Sequence, residues 1–155
     1  MKQYLSPLAA NLKPSGIRKF FDLASNMENV ISLGVGEPDF STPWVMRESA
    51  IFSLEQGQTM YTSNAGLIEL RRELSSYLAK QQGLNYNPEN EILITVGASE
   101  AVDLAMRALL TPGDGILIPD PSYVAYAGCA TMAGAEIHYI PLRAENDFRL
   151  QVDDL

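Results

Sequence analysis

The chain has 155 residues, 46% hydrophobic, 8% aromatic and 19% charged, a composition that excludes disordered, collagen-like and coiled-coil chains and fits a globular domain. Nineteen acidic against eleven basic side chains give a net charge of -8, so the summed field repels phosphate backbones and anionic lipid, and neither nucleic acid nor membrane is expected as a partner. Met1-Lys2-Gln3-Tyr4 has no apolar stretch behind it and no run of 18 apolar residues occurs, which reads as a cytoplasmic chain without leader or membrane span.

In chain order, Pro14-Ser15 ahead of Gly16 predicts a short helix to Ser25, with Arg18-Lys19 on a solvated face. Val30-Ile31-Ser32-Leu33 predicts a brief strand, and Gly34-Val35-Gly36-Glu37-Pro38-Asp39 forces irregular backbone after it. Thr42-Pro43 predicts an N-cap followed by proline at the first helical position. Leu67, Leu70, Leu74, Tyr77 and Leu78 recur at helical spacing, so a helix is expected over Gly66 to Gln82, closed by Gly83 in a left-handed cap. Its Arg71-Arg72 pair reads as another solvated face.

Beyond that helix the pattern alternates: strand Glu91 to Val96, helix Ser99 to Leu110, strand Gly115 to Pro119, helix Ser122 to Ala133, strand Glu136 to Leu142. Strands alternating with helices predict an α/β fold with a parallel sheet. Gln151-Val152-Asp153-Asp154-Leu155 reads as the acidic first turn of a further helix, so the chain is expected to continue. Three strands and two crossover helices leave faces and edges for that continuation or a partner chain to cover, and the piece alone is expected to oligomerise or aggregate.

Three segments could carry chemistry. Ile94-Thr95-Val96-Gly97-Ala98-Ser99-Glu100-Ala101-Val102 runs from a strand through small residues into a helix, whose free N-H groups and Ser99 hydroxyl suit a phosphate; alternatively Ser99 is simply an N-cap. Asp120-Pro121-Ser122-Tyr123-Val124-Ala125-Tyr126 follows the next strand at the same carboxyl edge, where ligands collect in open α/β sheets. An aromatic ring there either lies on a planar ligand or packs the helix, and Tyr126 suits the packing role better. In the loop from Gly34 to Pro43, Gly36 can expose its N-H to a carboxylate, but Glu37 and Asp39 lack the partners of a metal site. Cys129 reads as a buried apolar filler and His138 as a partly buried strand residue.

Ile31-Ser32-Leu33-Gly34-Val35-Gly36-Glu37-Pro38-Asp39-Phe40 with Thr42-Pro43, Tyr61-Thr62-Ser63-Asn64-Ala65-Gly66 running into Glu69-Leu70-Arg71, Thr95-Val96-Gly97-Ala98-Ser99-Glu100-Ala101, Pro112-Gly113-Asp114 and Asp120-Pro121-Ser122-Tyr123 stand in the order and spacing of class I pyridoxal-phosphate aminotransferases. Over essentially its whole length the chain resembles the N-terminal portion of such a fold-type I enzyme. Lys13-Pro14-Ser15-Gly16-Ile17-Arg18-Lys19-Phe20 is similar to the aromatic and N-acetyl-diaminopimelate branch. The resemblance implies that residues 1–45 belong to the small-domain and substrate-pocket region and residues 46–155 to the first part of the large cofactor-binding domain.

It further implies that the Ala98 and Ser99 N-H groups hold the phosphate of pyridoxal 5'-phosphate and that Tyr123, where tryptophan or phenylalanine often stands, stacks on its ring. Tyr61 would reach the phosphate in the neighbouring subunit of a homodimer, Gly36 would bind the substrate carboxylate, and Ile17 would lie near the substrate side chain. The Asp120-Pro121 peptide matches a position that is often cis. The lysines here are Lys2, Lys13, Lys19 and Lys80, none in the family's Ser-x-x-Lys setting. The chain alone is therefore expected not to transaminate amino acid and 2-oxo acid substrates. Other readings are a fold-type I lyase or decarboxylase, a non-catalytic assembly module, and, more weakly, a dinucleotide-binding module lacking the third glycine of its fingerprint.

Overall fold

The computed structural model describes residues 4–12, 16, 23, 27, 30–31, 36 and 38–155. Ile17, the Arg18-Lys19 pair, the Ser32-Leu33 end of the predicted strand and most of the helix predicted from Gly16 to Ser25 lie outside the described residues. In chain order the elements are α1 (Pro7–Asn11), α2 (Trp44–Glu55), α3 (Ile68–Gln82), α4 (Gly97–Leu109), β1 (Gly115–Asp120), α5 (Ala125–Ala133) and β2 (Glu136–Pro141), followed by 3-10 turns at Ala144–Asn146 and Val152–Asp154. They fall into two compact units, Ile17–Ile94, and Met1–Gly16 with Thr95–Leu155.

In the unit Ile17–Ile94, α2 starts one residue later than predicted. Pro43, fixed by its ring at φ -51 with ψ 143, is itself the extended cap residue, and its carbonyl accepts the N-H groups of Met46 and Arg47. The Thr42 side chain therefore makes no cap bond. No residue of α2 is buried, and the Arg47 guanidinium lies 5.4 Å from the Trp44 ring centroid.

Helix α3 starts two residues later than predicted and ends where predicted, and Gly83 closes it at φ 70, where a side chain would be strained. The Gly83 N-H donates to Ala79 and the Leu84 N-H to Leu78, so the last carbonyls are satisfied. The expected solvated face at Arg71-Arg72 is half right. Arg72 is exposed and pairs with Glu89 at 3.0 Å, but Arg71 is only 6% exposed. After Gly83 the chain returns along the helix, and Arg71 Nη1 donates to the carbonyls of Pro88 at 2.5 Å and Glu89 at 3.2 Å. One helical turn on, Ser75 Oγ donates to the Tyr86 carbonyl at 2.6 Å. Residues 71 and 75 share a helix face, which is why both reach the returning loop.

The predicted strand Glu91 to Val96 does not form. A strand exists only through a ladder with a neighbour, and among the described residues this segment has none. Its Ile94 N-H finds the Ala65 carbonyl at 3.1 Å instead. Gly66 beside that bond sits at φ +93, and a Cβ added there would lie 2.7 Å from both Cβ and Cγ1 of Ile94.

In the other unit, β1 and β2 pair in parallel, from Gly115 opposite Glu136 to Asp120 opposite Pro141, with α5 as the connection. Among the described residues, Ile118 of β1, Ala130 of α5 and Ile140 of β2 are the buried apolar ones, one from each element of the βαβ unit. Helices α1 and α4 both pack against α5. Helix α5 begins at Ala125 and not at Ser122, because a turn closed by the Tyr126 N-H on the Tyr123 carbonyl precedes it. Cys129 is half-buried and not buried, since α5 is covered only in part. His138 is exposed: its ring lies against Gly115, which has no side chain to cover it. Val152–Asp154 form a 3-10 turn, held where Arg143 meets Asp154 with two hydrogen bonds of 2.6 and 3.1 Å. No helix among the described residues is long and apolar enough to cross a membrane.

Candidate cofactor-binding site

The site is built from the start of α4 and the segment that leaves β1. Val96, at φ -79 and ψ 75, is the cap residue of α4, and Gly97 follows at φ +79 with its N-H on the Thr95 carbonyl. Ser99 is accordingly the third residue of the helix and not its N-cap. Among the described residues, the N-H groups of Ala98 and Ser99 have neither a side-chain cap nor a backbone acceptor. They stand at the positive end of a 13-residue helix, the place where oriented donors attract an anion. A Cβ at Gly97 would meet nothing within 4 Å.

From the other side, β1 ends at Asp120, the Asp120-Pro121 peptide is cis, as the resemblance implied, and Tyr123 stands three residues beyond the strand. Ser99 Oγ and the Tyr123 hydroxyl are 2.6 Å apart. Tyr123 keeps 46% of its surface exposed, while Tyr126 packs edge-on against it with ring centroids 5.5 Å apart. Two open N-H groups, a hydroxyl and a partly open aromatic ring therefore converge from two elements of one unit. They offer an anion site beside a flat apolar surface.

One residue here was missed by the sequence reading. The Glu100 carboxylate accepts the Val96 N-H and so ties the cap residue to the first helical turn. Glu100 is the fourth residue of the helix, one place beyond the glutamate of a capping box, so that sequence pattern does not single it out. The remaining predicted residues belong to other parts of the chain. Tyr61, 106% exposed, and Gly36, exposed with open space around its Cα, belong to Ile17–Ile94, and Ile17 lies outside the described residues. No group of three or more potential metal ligands occurs among the described residues.

Cys129 on α5 is near the α4 pair in which Arg107 Nε donates to Asp103 at 2.8 Å. Burial pushes its thiol above the usual range, the Asp103 carboxylate adds to that, and Arg107 opposes it. The folded chain thus keeps the thiol proton to higher pH than the unfolded chain does. The resulting stabilisation is complete below the ordinary thiol pKa and is lost as pH rises through the folded value. Alkylation of Cys129 by iodoacetamide should be slower at pH 8 than that of a free thiol and should still be rising beyond the ordinary thiol range. A rate-pH curve superimposing on that of a free thiol would contradict this.

A helix start with donors facing outward and an aromatic ring after a strand of a parallel βαβ unit are the features of an anion site on an α/β fold. The sequence profile of aminotransferase class I and II matches residues 28–155, and the chain belongs to that family. Its members are pyridoxal 5'-phosphate enzymes that act on amino and 2-oxo acids. YugH of Bacillus subtilis is 52% identical over 154 residues, covering 99% of this chain and 40% of YugH. The aspartate aminotransferase of Pyrococcus abyssi is 44% identical over 93% of this chain and 37% of its own length. The crystal structure of the aromatic aminotransferase from Pyrococcus horikoshii superimposes with a TM-score of 0.77 at 39% identity, over 89% of this chain and 36% of that one. The chain thus spans about two fifths of the length of these relatives.

Proposed function

We propose that this chain is the N-terminal part of an aminotransferase that moves an amino group from an L-amino acid to a 2-oxo acid with pyridoxal 5'-phosphate. The observation that carries the reading is the pair of open N-H groups at Ala98 and Ser99, with the Ser99 hydroxyl beside Tyr123. Those groups fit the cofactor: the donors suit its phosphate and the ring suits its pyridine face. When bound, pyridoxal 5'-phosphate supplies an electron sink for the substrate. Ala98 and Ser99 would hold the phosphate, and Tyr123 would stack on the ring and screen one face from water. Gly36 offers its N-H to the substrate carboxylate, Ile17 lines the side-chain pocket, and Tyr61 reaches the phosphate of the neighbouring subunit in a cytoplasmic homodimer. Residues 1–45 belong to the pocket region and residues 46–155 to the first part of the large domain.

The lysine that anchors the cofactor lies outside these residues in this reading. The test is the intact mass of the natural polypeptide after borohydride reduction. A pyridoxyl adduct on a lysine other than Lys2, Lys13, Lys19 and Lys80 is expected. A polypeptide carrying no adduct overturns the cofactor assignment, and turnover by the 155 residues alone overturns the assignment of the missing lysine.

A further inference from the structure

The hydroxyl of Tyr123 has no part in stacking, and a phenylalanine would offer the same ring without it. Yet it lies 2.6 Å from Ser99 Oγ, across 24 positions of sequence. A serine hydroxyl has one proton and two acceptor sites, whereas a phosphate dianion only accepts. If Ser99 gives its proton to a phosphate, the contact with Tyr123 persists only with the phenol as donor. The phenol is also the more acidic of the two hydroxyls. The two bonds then point the same way, from Tyr123 to Ser99 to phosphate, and each polarises the next.

We propose that Tyr123 is a positioning residue for the phosphate, its hydroxyl donating to Ser99 Oγ so that the Ser99 proton is held toward the bound anion. This rests on the reading of the site as a pyridoxal 5'-phosphate cradle. Without the phenol the Ser99 hydroxyl turns among its staggered rotamers and loses part of its donor strength. Ring stacking is unaffected.

The test uses the natural polypeptide that carries these residues, with pyridoxal 5'-phosphate and unphosphorylated pyridoxal as probes, and reads Kd from the absorbance of the bound ring. Tyr123→Phe should raise the Kd for pyridoxal 5'-phosphate roughly 3- to 10-fold, the size of one neutral hydrogen bond. It should leave the Kd for pyridoxal unchanged. In a Ser99→Ala background, Tyr123→Phe should have no further effect on either probe. Equal weakening of both probes would place the hydroxyl's action on the ring and overturn the proposal. An undiminished effect in the Ser99→Ala background would overturn it too, because the hydroxyl would then act without Ser99. If Ser99→Ala leaves pyridoxal 5'-phosphate binding untouched, the Ser99 hydroxyl does not meet the phosphate and the proposal fails; the phosphate-cradle reading, which rests on N-H groups that alanine keeps, fails instead if the parent protein binds pyridoxal 5'-phosphate no more tightly than pyridoxal.

Discussion

Gly66→Ala should destabilise the unit Ile17–Ile94 by about 2 to 5 kcal/mol, the sum of a side chain forced into a left-handed conformation and an overpacked contact. The backbone there is at φ +93, and the new methyl would lie 2.7 Å from Cβ and Cγ1 of Ile94. Neither neighbour can give way easily. The Cβ of Ile94 is fixed to a backbone whose N-H is bonded to the Ala65 carbonyl, immediately before Gly66. The measurement is urea unfolding of Gly66→Ala against the parent protein, with the slope unchanged. Adding Ile94→Ala removes Cγ1 but keeps Cβ, so the double variant should lose less than the two single changes together. A midpoint for Gly66→Ala within error of the parent would show that the two segments do not meet as described.

The second large effect is Arg71→Ala, expected to cost about 2 to 4 kcal/mol, because two hydrogen bonds from a charged donor disappear from a buried position. The carbonyls of Pro88 and Glu89 both lose their partner, and the loop from Asn87 to Glu91 loses its tie to α3. Arg71→Lys should recover less than half, since one ammonium group does not reproduce the reach of a guanidinium to both carbonyls. Arg72→Ala, one residue away, should change stability by only about 0.2 to 1 kcal/mol, because its ion pair with Glu89 is exposed on both sides. Urea midpoints of the three variants, with amide exchange read across residues 84–91, give the answer. Equal losses at 71 and 72 would refute the distinction.

These two arginines also mark where reading the chain in order succeeds and where it stops. Helical spacing found α3 and its Gly83 cap, since leucines on one face and a glycine after the last turn are local signals. Periodicity likewise found the strands and helices around β1, α5 and β2 to within a few residues. It could not tell Arg71 from Arg72, because burial depends on where the loop returns after Gly83. The expected strand before α4 failed for the same kind of reason: apolar β-branched residues suit a strand, but only a neighbouring strand makes one. At the candidate site, the small residues at 97–99 and the aromatic ring at 123 were legible as separate features. Their meeting was not, for no local rule relates residues 24 apart.

The contact between Ser99 and Tyr123 has a consequence for how such a site diverges. Tyrosine and phenylalanine codons differ by one base, so a single point mutation removes the phenol oxygen while leaving the ring. Replacing the ring by a larger indole takes more than one base change. A lineage can therefore move its grip on an anion in a small step, back and forth, without passing through a variant that has lost its flat surface.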